Sequence, residues 1–252
     1  MKIYIAENKE ALGASAAALI AGRLRRAVEE RGEARLVLST GMSQFETLEA
    51  LIQENVPWEC VTMFHLDEYI GLPQTHIASF RRYLRERFTG RVSLREAVFV
   101  DGEGDVEGNI VRLTAKLREA PVDVGVVGIG ENAHVAFNDP PADFENREAY
   151  RAVTLDEACR KQQVGEGWFA AVEDVPRQAI SMTPYQIMCC KCIVSPVPRA
   201  VKADAIFKVL SADRPDPMVP SSILKTHEDW HLFLDRDSAS RCSAELLASA
   251  GA

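Results

Sequence analysis

No stretch of this 252-residue chain approaches the roughly 18 consecutive apolar residues that a membrane-spanning helix needs, so no transmembrane segment is expected. Positive charge is in deficit: 29 Lys and Arg against 37 Asp and Glu leave a formal charge of −8. That balance argues against a nucleic-acid or anionic-membrane partner, which would favour a basic face. It leaves an anionic small molecule open, because a local site can override net charge. No G-K-[ST] closes a glycine-rich loop, which excludes a P-loop. Internal repeats, low-complexity tracts and linkers are also missing, so a single domain over 1–252 is expected. The opening Met1-Lys-Ile-Tyr-Ile-Ala-Glu7 reads as a first strand and not as a signal peptide, which makes the cytoplasm the expected location. The six cysteines, at 60, 159, 189, 190, 192 and 242, read as reduced, partly buried thiols and not as metal ligands or disulfides. His227 and His231 lie four apart, but the pattern between them turns strand-like, so they read as structural or exposed.

What is present is an alternation of two periodicities. Apolar runs at Ile3–Ala6, Arg35–Leu38, Cys60–Leu66, Ala97–Val100, Val122–Val127, Ala179–Met182, Cys192–Ser195 and Trp230–Leu234 have the length and composition of buried strands. Between them lie helical spacings, the clearest being Leu12, Ala16, Leu19, Ile20, Leu24, Ala27 and Val28, which ends at Gly32, a natural C-cap. Further helices are expected over Phe45–Glu54, Ile77–Phe88, Val106–Leu117, Leu155–Val164 and Val201–Leu210. This order implies an α/β, Rossmann-like fold: a mostly parallel sheet flanked by helices on both faces. The irregular, charged segment Asn138–Tyr150, with Pro140-Pro141, is expected to be a mobile lid.

Four constellations sit at expected strand ends, where ligands bind in open α/β sheets. Ser39-Thr40-Gly41-Met42-Ser43 follows a strand and precedes a helix, which suits an anion on backbone amides; a capping box of Ser43 with Glu46 is the plainer alternative. His65-Leu-Asp67-Glu68-Tyr69 places two acids at the end of an apolar run. Asp67 can serve as a general base there, while Glu68 is divided between function and a buried hydrogen-bonding role. His65 and Asp67 share a strand face, but two ligands do not make a metal site, and no metal is expected. Gly128-Ile-Gly130-Glu-Asn132-Ala-His134-Val-Ala-Phe-Asn138-Asp139 puts an imidazole and a carboxylate on one loop, a candidate for proton transfer. It fits the dinucleotide pattern formally, but Asn138-Asp139-Pro140-Pro141 interrupts the helix that pattern requires, so a nicotinamide cofactor is not expected. Lys202, in the first turn of the helix after Cys192–Ser195, can reach an anion in the same cleft; a solvated surface lysine is the commoner alternative.

Together these segments resemble the glucosamine-6-phosphate deaminase/isomerase family, relatives of the 6-phosphogluconolactonases. Asp67-Glu68-Tyr69-Ile-Gly-Leu-Pro73 with Ser79-Phe80 is similar to that family's D-E-Y-V-G-L-P…S-[YF]. Gly128-Ile-Gly130…His134-Val-Ala-Phe-Asn138-Asp139-Pro140 is similar to its G-V-G-N-D-G-H-I-A-F-N-E-P. Ser39-Thr40-Gly41 resembles its phosphate loop, Lys202-Ala-Asp-Ala its K-A-x-A helix start, and Pro220-Ser-Ser222…His227 its P-x-S-x-L-x-x-H segment. The resemblance implies conversion of glucosamine 6-phosphate to fructose 6-phosphate and ammonia by an enzyme of amino-sugar metabolism, without metal or organic cofactor. It implies Asp67 as the base moving a proton between C2 and C1, and His134, oriented by Asp139 and Asn132, as the group that assists ring opening. Ser39, Thr40, Gly41, Ser43 and Lys202 would hold the 6-phosphate, with Glu68 and Gly130 among the substrate-binding groups. The expected partner is a small sugar phosphate, and the family suggests a homo-oligomer.

The chain departs from that pattern at Asn132, where the family has aspartate; at Asp139, where it has glutamate; at Ala133 and Met42; and at Ser181-Met-Thr183-Pro184. The family's phosphate-binding arginine has no evident match, Arg160 and Lys161 being the cations nearest that stretch. These departures keep two alternatives open: a sugar-phosphate lactone hydrolase, and a catalytically weak sugar-phosphate sensor.

Overall fold

In a computed structural model, which describes residues 1–251, the two periodicities resolve into ten strands and eight α-helices. β1 (Lys2–Ala6), α1 (Lys9–Arg31), β2 (Ala34–Leu38), α2 (Phe45–Leu51), β3 (Val61–His65) and β4 (Asp67–Tyr69) form the first part. α3 (Phe80–Leu84), β5 (Glu96–Val98), α4 (Val106–Arg118), β6 (Val124–Val126), β7 (Tyr150–Thr154) and α5 (Glu157–Gly165) follow. β8 (Gln178–Met182), α6 (Pro184–Met188), β9 (Cys192–Val197), α7 (Ala203–Ser211), β10 (Trp230–Asp235) and α8 (Ala244–Gly251) complete the order.

Local signals account for most element boundaries. The Asn8 side chain accepts from Ala11 N and starts α1; Gly32, at φ 77°, ends it by donating to Val28 O. The helix expected over Ile77–Phe88 starts later, at Phe80, because Ser79 takes the capping position and accepts from Arg82 N. It then loosens into a π turn over Arg85–Thr89. Four elements were not expected: β4, β7, α6 and α8. β4 and β7 are short, and they join β8 in a separate antiparallel sheet of order β4-β8-β7. α6 arises where Thr183 caps a turn that begins with Pro184.

The main sheet is entirely parallel, with order β1-β10-β9-β6-β2-β3-β5. Its inner strands β2, β3, β6, β9 and β10 are buried at every residue, as a sheet covered on both faces requires. Leu12, Ile20 and Leu24 of α1 and Leu48 and Leu51 of α2 pack on one face. Leu113 and Leu117 of α4 and Ile206 and Val209 of α7 pack on the other. From β2 the chain moves outward through β3 to β5; from β6 it moves outward the other way through β9 to β10. Strand order therefore reverses between β2 and β6, and a ligand crevice is expected beyond their carboxyl ends. Among the described residues no helix is long and apolar enough to cross a membrane.

Candidate active site

An open cleft, about 850 Å³ with the solvent space at its mouth included, lies where that reversal places it. β3, β2, β6 and β9 are consecutive neighbours in the sheet, and each sends its following loop into it. Ser39, Thr40, Gly41 and Ser43 come from the β2 loop, Asp67 from the start of β4 just beyond β3, Gly130 and His134 from the β6 loop, and Lys202 from the turn after β9. The structure thus brings eight of the residues singled out in the sequence into one cleft.

One side of the cleft is built from the first and last of these loops. Gly41, at φ 96°, adopts a left-handed backbone that favours glycine, and a 3-10 turn over Met42–Gln44 follows it. The Ser39 hydroxyl oxygen is buried with no hydrogen-bond partner among the described residues. The expected capping box does not form: Glu46 instead accepts from Arg199, at 2.8 Å, and pairs with Lys9, at 2.9 Å. Lys202 is only 6% exposed and makes no ion pair among the described residues. Burial lowers its pKa, a condition that an anion bound beside it would relieve.

Arg199 is a cleft residue that the sequence reading missed. It is held at φ 81°, an uncommon conformation for a side-chain-bearing residue, by its backbone N–H donating to both Asp235 carboxylate oxygens at 3.1 and 2.9 Å. Its guanidinium donates to Met42 O and to Glu46, spanning the phosphate-like loop. The available signal was a cation three residues before Lys202 at a strand-to-helix junction. Arg160 and Lys161 do not enter the cleft: Arg160 donates to Val172 O and Lys161 pairs with Glu157. Gln162, Gln163, Glu166 and Trp168, of α5 and the turn after it, line the cleft and no residue of Asn138–Tyr150 does, so the segment expected as a lid does not cover it. Tyr69 anchors this lining, donating to Gln163 at 2.8 Å.

Asp67 has the most perturbed carboxyl at the site. Burial, and next the neighbouring Glu68 charge, push it up to about 8. Its side chain is tied down by no hydrogen bond or ion pair among the described residues. Glu68 does not line the cleft. Its side chain is fully buried and accepts from Ser79 Oγ at 2.8 Å, Arg81 N at 2.9 Å, Tyr69 N at 3.0 Å, and Phe80 N and Arg81 Nε at 3.2 Å. The expectation that Glu68 binds substrate is thereby corrected: its acceptor capacity is spent on the turn that starts α3. His65 is likewise structural. Its Nε2 accepts from Val100 N, and burial holds the ring neutral, with its pKa pushed down to about 3.

His134 stands between two groups that orient it. Its Nδ1 lies 3.1 Å from Asp139 Oδ1, a contact not yet aligned as a full hydrogen bond, as is common in unliganded sites. Asn132 donates to the same Asp139 oxygen at 3.1 Å and accepts from the His134 backbone N–H at 3.1 Å. Asn132 and Asp139 thus stand behind the imidazole and do not line the cleft. Burial alone would raise the Asp139 carboxyl, but His134, Asn132 and the Cys159 thiol outweigh it and hold Asp139 below its ordinary range. Asp139 is therefore a carboxylate at neutral pH and is the charged partner available to an imidazolium.

The loop is wound tightly to achieve this. Ala133 and Ala136 both take positive φ, 68° and 49°, and no helix follows Gly128, consistent with the exclusion of a dinucleotide site. The winding folds the His134 ring over Gly130, where an added Cβ would lie 2.3–2.5 Å from three ring atoms. A Gly130→Ala variant is expected to displace the imidazole by about an ångström and to lower turnover roughly 10²-fold. Its thermal unfolding should change little, and rates measured beside a melting curve check both.

An α/β protein with a buried carboxyl, an imidazole beside a carboxylate and two cations in one cleft at the sheet's reversal has the groups of an acid/base enzyme acting on small anions. The comparisons narrow that class. The description of glucosamine-6-phosphate isomerases/6-phosphogluconolactonase matches residues 7–232, and the chain belongs to that family. A glucosamine-6-phosphate deaminase of Streptococcus uberis is 30% identical over 241 residues, covering 95% of this chain and 99% of that protein. One of Streptococcus pneumoniae is 30% identical over 95% of this chain and 98% of its own length. The solved structure of a monomeric glucosamine-6-phosphate deaminase superposes with a TM-score of 0.86 at 28% identity, covering 96% of this chain and all of that one. A 6-phosphogluconolactonase of Shewanella baltica, at 20% identity and a TM-score of 0.76 over 93% of this chain and 97% of its own, shares the fold.

Proposed function

We propose that this protein converts glucosamine 6-phosphate and water to fructose 6-phosphate and ammonia. The observation that carries the reading is one cleft holding a tetherless buried carboxyl, Asp67, an imidazole oriented by a carboxylate, and a two-cation anion pocket. In this scheme the 6-phosphate sits on the Ser39–Ser43 loop and takes Arg199 and Lys202 as counter-ions. His134, poised by Asp139, carries the proton that ring opening delivers to the ring oxygen. Asp67 as carboxylate then takes the C2 proton and returns it to C1. Water adds at C2, and the amine leaves as ammonia. The substrate's own ammonium, entering beside Asp67, favours the ionised base that the first proton abstraction needs. Asn132, which cannot carry charge, keeps the imidazole and Asp139 in register, so Asp139 alone stabilises the imidazolium.

Purified protein should release ammonia from glucosamine 6-phosphate and leave 6-phosphogluconolactone unhydrolysed. Lactone cleavage without ammonia would move the assignment to the lactone hydrolase, and tight binding without turnover would move it to the sensor. Lys202→Ala is expected to raise KM by about 10–100-fold with kcat changed far less, the signature of lost uniform binding. A steady-state comparison with the parent protein checks it.

A further inference from the structure

We propose that Cys192, Asp229 and His231 form a binding site for one divalent cation of the zinc class, at the amino-terminal edge of the sheet and remote from the catalytic cleft. The parallel register that pairs Trp230 with Ile193 sets Asp229 beside Cys192 at the entry of β10 and β9. His231, two residues beyond Asp229, faces the same side of the sheet. One donor atom from each residue, a sulfur, an oxygen and a nitrogen, lies within 4.8 Å of the others. Tetrahedral zinc with bonds of about 2.0–2.3 Å separates its ligand atoms by roughly 3.3–3.8 Å, so binding needs the His231 and Asp229 donors, now 2.8 Å apart, to part by about half an ångström to admit the cation between them. Three protein ligands with one open position is an established zinc arrangement, and thiolate with imidazole selects zinc over the hard cations.

The surrounding residues already orient the donors. Tyr4 hydroxyl meets His231 Nδ1 at 3.1 Å and stacks on its ring, which turns Nε2 inward to within 2.8 Å of Asp229 Oδ1. Arg23 of α1 pairs with the other carboxylate oxygen at 2.7 Å and fixes its orientation. Such outer partners are what hold metal ligands in place. Cys192 and His231 are buried, while Asp229 is 28% exposed and gives the cation its way in from solvent. The proton balance is simple. Cys192 releases its thiol proton to solvent as the metal–sulfur bond forms. The His231 proton moves from Nε2 to Nδ1, where it is donated to the Tyr4 oxygen. One thiolate and one carboxylate then neutralise the dication. Thirty-six residues separate Cys192 from Asp229 in the sequence, which is why local spacing suggested plain thiols and a structural histidine.

Cobalt(II), added to the full-length protein, is the direct probe and reads binding independently of any catalytic assignment. One equivalent should produce a near-ultraviolet thiolate-to-cobalt charge-transfer band and tetrahedral d–d absorption, both displaced by one equivalent of zinc. Cys192→Ser should abolish the charge-transfer band. His231→Gln and Asp229→Asn should each weaken cobalt binding at least tenfold. Cys189→Ser, an exposed thiol outside the cluster, should leave it intact. Lack of a charge-transfer band at saturating cobalt, or a band unaltered in both Cys192→Ser and His231→Gln, overturns the proposal.

Discussion

An Asp67→Asn variant is expected to lose on the order of 10³-fold in kcat, within the range that a single general base supplies, and at the same time to be more stable than the parent at neutral pH. Both effects come from one cause. Burial and the adjacent Glu68 raise the Asp67 carboxyl from 3.8 to about 8, so the folded protein retains a proton that the unfolded chain has lost. The sign follows from linkage. Below about pH 4 the group is protonated in both states and contributes nothing. As pH rises towards 8 the unfolded state alone ionises, and folding is penalised by an amount that grows to a few kcal/mol. Asparagine removes that penalty, so the stability gained by the variant should be nil near pH 4 and largest above pH 8. Thermal unfolding across that range checks it; a variant no more stable than the parent at pH 8 would mean that the carboxyl is not strained by its surroundings.

The same titration shapes catalysis. As the proposed base Asp67 acts only when ionised, so kcat/KM for ammonia release should climb about tenfold per pH unit on the acid side and level off near 8. Substrate that brings an ammonium to the site should draw the kcat profile to lower pH than the kcat/KM profile. Asp67→Asn should abolish this limb altogether.

Much of this arrangement was legible in the sequence, and the parts that were not share a physical reason. Parallel strands buried on both faces announce themselves as short apolar runs, and the helix signals at Asn8 and Gly32 are local. The cleft followed because each candidate motif began where such a run ended. Asp67 and Glu68 illustrate the limit. They are adjacent in the sequence and both buried, yet one faces the cleft while the other accepts five hydrogen bonds from residues 69–81. Which acid takes which role is set by the way the chain swings from β3 into β4, an element too short to have a periodicity. Arg199 was hidden for a related reason. Its reach into the cleft depends on a left-handed backbone held by Asp235, thirty-six residues away in the sequence. The place of β4 in the antiparallel β4-β8-β7 sheet, likewise, rests on its pairing with β8, as between Asp67 and Ser181, which no local window contains.

The correction at Glu68 carries the second large expected effect. Glu68→Ala should destabilise the fold by about 3–5 kcal/mol, a large share of the roughly 5–15 kcal/mol available to a domain. Arg81 is not stranded as a charge, since Asp101 at 2.6 Å and Glu103 at 2.8 Å still face it. What is lost is the acceptor for the Ser79 hydroxyl and for the buried N–H groups of Tyr69, Phe80 and Arg81, together with the cavity a carboxyl leaves. A fall in Tm of roughly 10 °C is expected for a chain of this size. Glu68→Gln, which retains one acceptor oxygen but turns an NH₂ towards donors, should fall between alanine and the parent. If Glu68 touched substrate, either change would raise KM; if it holds the turn, KM stays put in whatever fraction remains folded. A further readout separates the two roles. Glu68 is the second cause of the raised Asp67 carboxyl, so removing its charge should shift the acid limb of kcat/KM to lower pH without altering KM. A raised KM with an unmoved acid limb would return Glu68 to the substrate.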